Sequence, residues 1–172
     1  MNAAEKVKTW VDRINTAMGL ISGVCIVLSM VAIAWEVVAR YGFNSPTLWA
    51  LPISSVYLLP GAIFLGAAYT VQVDGFVRID LILLRASAKT KAVLDMLAYI
   101  GGLGLAAILI WNGWKLSYGS YVRGELIPTT LLGWPIFPSQ SLIFLGSFFL
   151  ALELIIKIAF SVKSFFKSGS KS

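Results

Sequence analysis

Glu36 and Arg40 are the two residues of this chain whose types and spacing point most directly to membrane chemistry. They follow Ile14–Trp35, a run without a single charged side chain. Four positions apart on a helix they share one face, with the carboxylate on the N-terminal side, the better order for an ion pair. Three roles fit. The pair can fix the depth and tilt of a helix end. It can face a partner helix and hold the turn that follows. Glu36 can also bind a proton for coupled transport. An ionised group at the bilayer centre costs at least about 2.5–3.5 kcal/mol. A position near the end of the run, beside its own cation, makes the third role the weakest.

Other chemistries have little to stand on. The chain has no histidine and one cysteine, Cys25. Histidine-ligated haem, histidine metal sites and histidine acid–base catalysis therefore drop out. No Gly-rich phosphate loop, nucleophile elbow or carboxylate pair occurs in the sequence, so we expect no catalytic residue, no cofactor and no metal. Cys25 reads as a small apolar packing residue. Arg78-Ile79-Asp80 sits between apolar stretches; adjacent opposite charges there are commonly just solvated, and the alternatives are a structural pair or a hold on a lipid phosphate by Arg78. Gly19 and Gly23 form a small-xxx-small pattern that permits close helix approach. Gly66-Ala67-Ala68 gives a second smooth patch, and Trp49 after the Asn44-Ser45-Pro46-Thr47 turn reads as an interfacial anchor. Gly19, Gly23, Trp49, Gly66 and Ala67 are thus the candidate partner-facing residues, with ordinary packing inside the chain as the alternative.

The elements that carry these residues follow from hydropathy. The 172 residues are 58% hydrophobic and 13% charged, against about 25% charged in an ordinary soluble domain. Uncharged runs cover 14–35, 41–73, 96–114 and 126–152. Each is long enough for a spanning helix, which needs about 20 mostly apolar residues. The expected fold is an all-α integral membrane protein, a single membrane domain over 1–172. Its four transmembrane helices lie near 16–39, 54–73, 93–116 and 136–160, with a kink at Pro60. Residues 1–15 are amphipathic and are expected to lie along the inner surface before turning in. An amphipathic cytoplasmic connection joins the second and third helices, and 161–172 form a basic tail. The outer stretch before the last helix, with Pro128, Pro135 and Pro138, should follow a fixed extended path. The spans show no acidic or polar residue deep enough for an ion site, and the first run reads as a span rather than a cleaved signal.

The net charge of +6 does not indicate nucleic acid, because of where it lies. Lys6, Lys8 and Arg13 precede the first span. Arg78, Arg85, Lys89 and Lys91 separate the second and third, and Lys163, Lys167 and Lys171 follow the fourth. The positive-inside rule places both termini and the middle connection in the cytoplasm. Trp35, Trp49, Trp111, Trp114 and Trp134, with Tyr41, Tyr118 and Tyr121, fall at the opposite ends, where amphipathic rings favour headgroup level.

The run Glu36-Val-Val-Ala-Arg40-Tyr41-Gly-Phe43-Asn44-Ser-Pro46-Thr-Leu-Trp49 resembles the first-helix signature of the DctQ-type small membrane subunit of tripartite ATP-independent periplasmic (TRAP) transporters. The likeness continues through Phe64-Leu65-Gly66-Ala67-Ala68-Tyr69. It resumes at Gly75-Phe-Val-Arg78-Ile79-Asp80 and in the outer loop from Pro128 to Trp134. It covers about residues 14–160. Two departures stand out. Ala50-Leu51-Pro52-Ile53 replaces the paired Glu that often follows the Trp in that family, and Phe76 replaces its His.

The resemblance implies a bacterial inner-membrane protein without catalytic activity. In such systems a periplasmic substrate-binding protein delivers an organic acid, of the C4-dicarboxylate or sialic acid class. A large multi-helix subunit carries it across with Na⁺, and the small subunit joins that subunit's stationary scaffold. Phospholipid is a further expected partner. Two other readings remain: a self-contained small proton-coupled exporter using Glu36, and a membrane anchor for another complex.

Overall fold

A computed structural model describes residues 3–73, 75, 88–127 and 133–169. Its four long helices are α1 (Ala3–Gly42), α2 (Ala50–Gln72), α3 (Ala88–Arg123) and α4 (Phe137–Gly169). Each contains a stretch long and apolar enough to cross a membrane: Lys8–Gly42, Ala50–Gln72, Leu94–Arg123 and Phe137–Ala159. The chain is an all-α membrane protein.

One expectation is corrected at the start of α1. No turn separates an N-terminal surface segment from the span, because the helix runs unbroken from Ala3. Nothing between Ala3 and Met18 breaks a helix, as neither Pro nor Gly occurs there. The inward side of this segment is also packed, with Val11 and Asn15 buried. At about 1.5 Å per residue α1 is about 60 Å long, twice the hydrocarbon thickness of about 30 Å.

The buried face of α1 has a strict pattern. Val11, Asn15, Met18, Ser22, Ser29, Ala32, Glu36 and Ala39 are buried and Cys25 is half-buried. The steps alternate between four and three residues, the seam of a heptad repeat. Every seventh position on it, Asn15, Ser22, Ser29 and Glu36, is polar. Leu20, Val24, Val27, Val31 and Val38 point outward. In lipid, polar and small side chains mark the helix–helix side and large aliphatic ones the lipid side, which is the division seen.

The helices pack in sequence from one neighbour to the next. α1 lies on α2, α2 on α4, and α4 on α3; α1 also meets α4 along a short stretch. The contacts are close because small residues line them. A side chain at Gly146 of α4 would strike the Phe64 carbonyl of α2, so the two backbones nearly touch there. At Gly113 of α3 an added Cβ would lie 3.1 Å from the backbone nitrogen of Phe144.

Pro60 sits between two stretches of α2 that are wound in wider turns. The helix is π-wound over Ile53–Leu58 and Gly61–Leu65, on either side of the proline. Pro60 has no N–H to donate and its ring crowds the preceding turn. The Leu59 N–H bonds the carbonyl of Ser54, five residues back. On the far side the Ala62 carbonyl accepts the Ser22 hydroxyl of α1 at 2.6 Å, so the distorted stretch is tied to its neighbour.

The connection between α3 and α4 doubles back on itself. Leu126 and Pro135 form an antiparallel bridge, with Ile127 N–H on the Trp134 carbonyl at 2.8 Å and Ile136 N–H on that of Glu125 at 3.1 Å. Gly124 takes φ +60° to start the reversal. Tyr57 of α2 donates its hydroxyl to the Pro135 carbonyl, and its ring meets Trp134 edge-on at 6.5 Å. The expected amphipathic connection after α2, with Phe76, Arg78 and Asp80, and Pro128 of the outer loop lie outside the described residues.

Candidate functional site at two polar clusters

Glu36 sits one and a half turns before the end of α1 and is 3% exposed. One carboxylate oxygen accepts Arg40 Nη2 at 2.6 Å and Nε at 3.1 Å. The other accepts the backbone N–H of Thr47 at 2.9 Å, and the Thr47 hydroxyl as well. Four donors therefore surround one carboxylate. Charge-assisted hydrogen bonds of this kind are about twice as strong as neutral ones. The arrangement holds the α1–α2 turn: Ser45 N–H caps the Ala39 carbonyl at 3.0 Å, and Asn44 takes φ +50°, a conformation Asn tolerates better than most residues.

The other sequence candidates fall in different places. An added Cβ at Gly19 would lie 2.5 Å from the Tyr69 ring, and one at Gly66 would lie 2.6 Å from the Ser22 hydroxyl. Both glycines serve contacts between α1 and α2 within the chain. Gly23 has open space around it. Ala67 is half-buried and Trp49, just before α2, is 40% exposed. Arg78 and Asp80 are beyond the described residues.

A second cluster was not foreseen. Glu153 of α4 is 1% exposed, and one of its oxygens accepts the Asn15 side-chain amide of α1 at 3.0 Å; Asn15 is itself fully buried. One turn on, Lys157 Nζ reaches the Gln72 carbonyl of α2 at 3.4 Å. The Thr16 hydroxyl donates to the Asp12 carbonyl at 2.8 Å. Three helices converge here. Buried polar groups that the charge pattern did not reveal are Glu153, Asn15, Ser22, Ser29, Ser54 and Ser147. Counting charge along the chain hid Glu153, because it merely ended an uncharged run. The seven-residue recurrence of polar residues in α1 was the signal that would have found the seam.

The clusters bracket the apolar slab. Three heptads separate Asn15 from Glu36, about 32 Å along the axis, close to the hydrocarbon thickness of about 30 Å. Asn15 and Glu36 therefore each stand near a boundary, where burying a polar group costs least. Among the described residues no group of three or more His, Cys, Asp or Glu could hold a metal ion.

No curated protein matches the chain. The family model for the DctQ component of tripartite ATP-independent periplasmic transporters matches residues 29–163. That stretch holds Glu36, Arg40, Trp49, Gly66, Ala67 and Glu153, and begins after Asn15, Gly19 and Gly23. Four apolar membrane-length helices and a match over most of the chain agree, and the chain belongs to the DctQ component family of TRAP transporters.

Proposed function

We propose that this chain is the non-catalytic scaffold subunit of a Na⁺-dependent TRAP transporter that imports an organic acid, of the C4-dicarboxylate or sialic acid class. A periplasmic binding protein delivers the acid, and the chain supports the large transport subunit in the inner membrane, with both termini cytoplasmic. The observation that carries the reading is the saturation of Glu36. A coupling carboxylate must exchange protons or ions during transport. Here both oxygens are occupied by donors from Arg40 and Thr47 of the same chain. That suits a fixed brace and disfavours the exporter alternative. Large aliphatic side chains on the outward faces of α1 and α3 give a membrane partner ample surface, and phospholipid would cover the remainder.

The test is co-purification in mild detergent, followed by transport in vesicles. The large subunit should come with this chain. Uptake of an organic acid should need the large subunit, the binding protein and a Na⁺ gradient. Transport by this chain alone, driven by a proton gradient, would replace the scaffold reading with the exporter.

A further inference from the structure

We infer that the turn between α1 and α2 is a phospholipid site, in which the Arg40 guanidinium takes the phosphate of a lipid and the exposed side chains of Tyr41, Phe43 and Leu48 lie among its glycerol and upper chain segments. Glu36 stands at the edge of the apolar slab, and Arg40 lies one turn beyond it, about 6 Å along the axis. Headgroups add about 5–8 Å to each side of the hydrocarbon core, so the guanidinium is at phosphate depth. Its side chain is half-exposed. Two of its five N–H groups are committed to Glu36, and the others meet no acceptor among the described residues. Glu36 is itself turned inward, buried and closed by Thr47, so its charge does not face the lipid. It holds the guanidinium in place and leaves an open edge, whose fork matches a phosphate.

The turn is built for lipid rather than for water. Residues 41–73 hold no charged side chain. Tyr41, Phe43 and Leu48 are 82%, 72% and 62% exposed. The backbone of the turn serves itself: the N–H groups of Phe43 and Ser45 both donate to the Ala39 carbonyl, and that of Thr47 to Glu36. Water would satisfy these groups unaided, and hydrocarbon cannot. The α3–α4 connection has the opposite build, with an exposed Arg123–Glu125 ion pair. A protein covering the α1–α2 turn would have to bring an acid to the open edge of Arg40. A lipid phosphate is already present at that depth all around the chain. The site depends neither on the scaffold reading nor on which side of the membrane this end faces.

Two measurements on the full chain test it. With Cys25→Ser as background, spin labels at Phe43→Cys and Leu48→Cys are compared in bilayers with Val31→Cys on the lipid side of α1 and Leu126→Cys in the α3–α4 connection, both exposed. Collisions with oxygen, which concentrates in lipid, should exceed those with a water-soluble nickel chelate at Val31, Phe43 and Leu48, and fall below them at Leu126. Nickel ahead at both turn positions would overturn the site. So would shielding from both reagents in the complex recovered from membranes, since protein would then cover the turn. Native mass spectrometry reads the guanidinium. The chain in mild detergent with added phosphatidylglycerol should retain bound lipid. Arg40→Gln should lower the apparent affinity about tenfold, and excess inorganic phosphate should not displace the lipid. Thr47→Val loosens the turn and leaves Arg40, so it should keep the lipid. An unchanged affinity in Arg40→Gln, an equal loss in Thr47→Val, or displacement by phosphate would each overturn the site.

Discussion

Glu36 and Thr47 stand eleven residues apart, and the carboxylate of one accepts both the backbone N–H and the hydroxyl of the other. A membrane helix and the connection that leaves it are thus closed on each other by a single side chain. Arg40 completes the ring from the same helix.

Glu36→Gln should weaken this closure. The amide offers an N–H where the carboxylate offered only acceptors, so it cannot satisfy Arg40 and Thr47 together. The half-exposed Arg40 loses its counter-ion. We expect less assembled complex with the large subunit and a thermal midpoint lower by a few degrees, with the Na⁺ dependence of assembled complex unchanged. Thermal unfolding in detergent and Na⁺ titration of transport measure the two. An altered Na⁺ stoichiometry with normal assembly would count against the brace.

The glycines of α1 and α2 should separate by position. Gly19→Leu meets Tyr69, and Gly66→Leu meets Ser22; overpacking a tight contact costs about 1–3 kcal/mol. Each should lower the stability of the isolated chain. Gly23→Leu enters open space and should leave stability unchanged. If Gly23→Leu nevertheless reduces co-purification of the large subunit, that face of α1 is where the partner docks. The comparison is stability of the chain alone beside recovery of the complex.

Labelling of intact cells checks the orientation. Ser120 is 2% exposed and its hydroxyl donates to Glu125 at 2.6 Å, so a cysteine there would be a poor reporter. Val122 is 64% exposed at the same end of α3. In the Cys25→Ser background Val122→Cys should react with an impermeant thiol reagent from outside, and Lys6→Cys should not. The reverse pattern would invert every loop and with it the positive-inside reading.

The α3–α4 connection should loosen in acid. The Ser120 hydroxyl, and then the Arg123 guanidinium, hold the Glu125 carboxyl below its ordinary value of 4.5. A depressed native value means that the stabilisation is complete above the unfolded value and is lost as pH falls through the native one. We expect no change from pH 8 to 5 and a loosening below about pH 4.5, visible in Trp134 fluorescence. Ser120→Ala should move that loss to higher pH. A Trp134 signal with the same acid profile in both proteins would mean that Glu125 does not hold the connection.

The four spans were legible in the sequence because lipid tolerates only long apolar helices with satisfied backbones, and that constraint acts on each segment alone. The Glu36–Arg40 pair was legible for the same reason, since both residues lie on one helix. Pro60 marked the distorted turn of α2 because its effect is local to the backbone. What required the tertiary structure was every relation between helices. Gly19 and Gly66 look alike whether they face lipid, a partner or a neighbour, and only packing assigned them to the inside of the chain. Thr47 became a ligand of Glu36 through the path of the turn. Asn15 and Glu153 lie 138 residues apart. Nothing in the composition of either segment says that α1 and α4 meet there, because in a membrane the apolar faces do not choose among partners and the few polar contacts do.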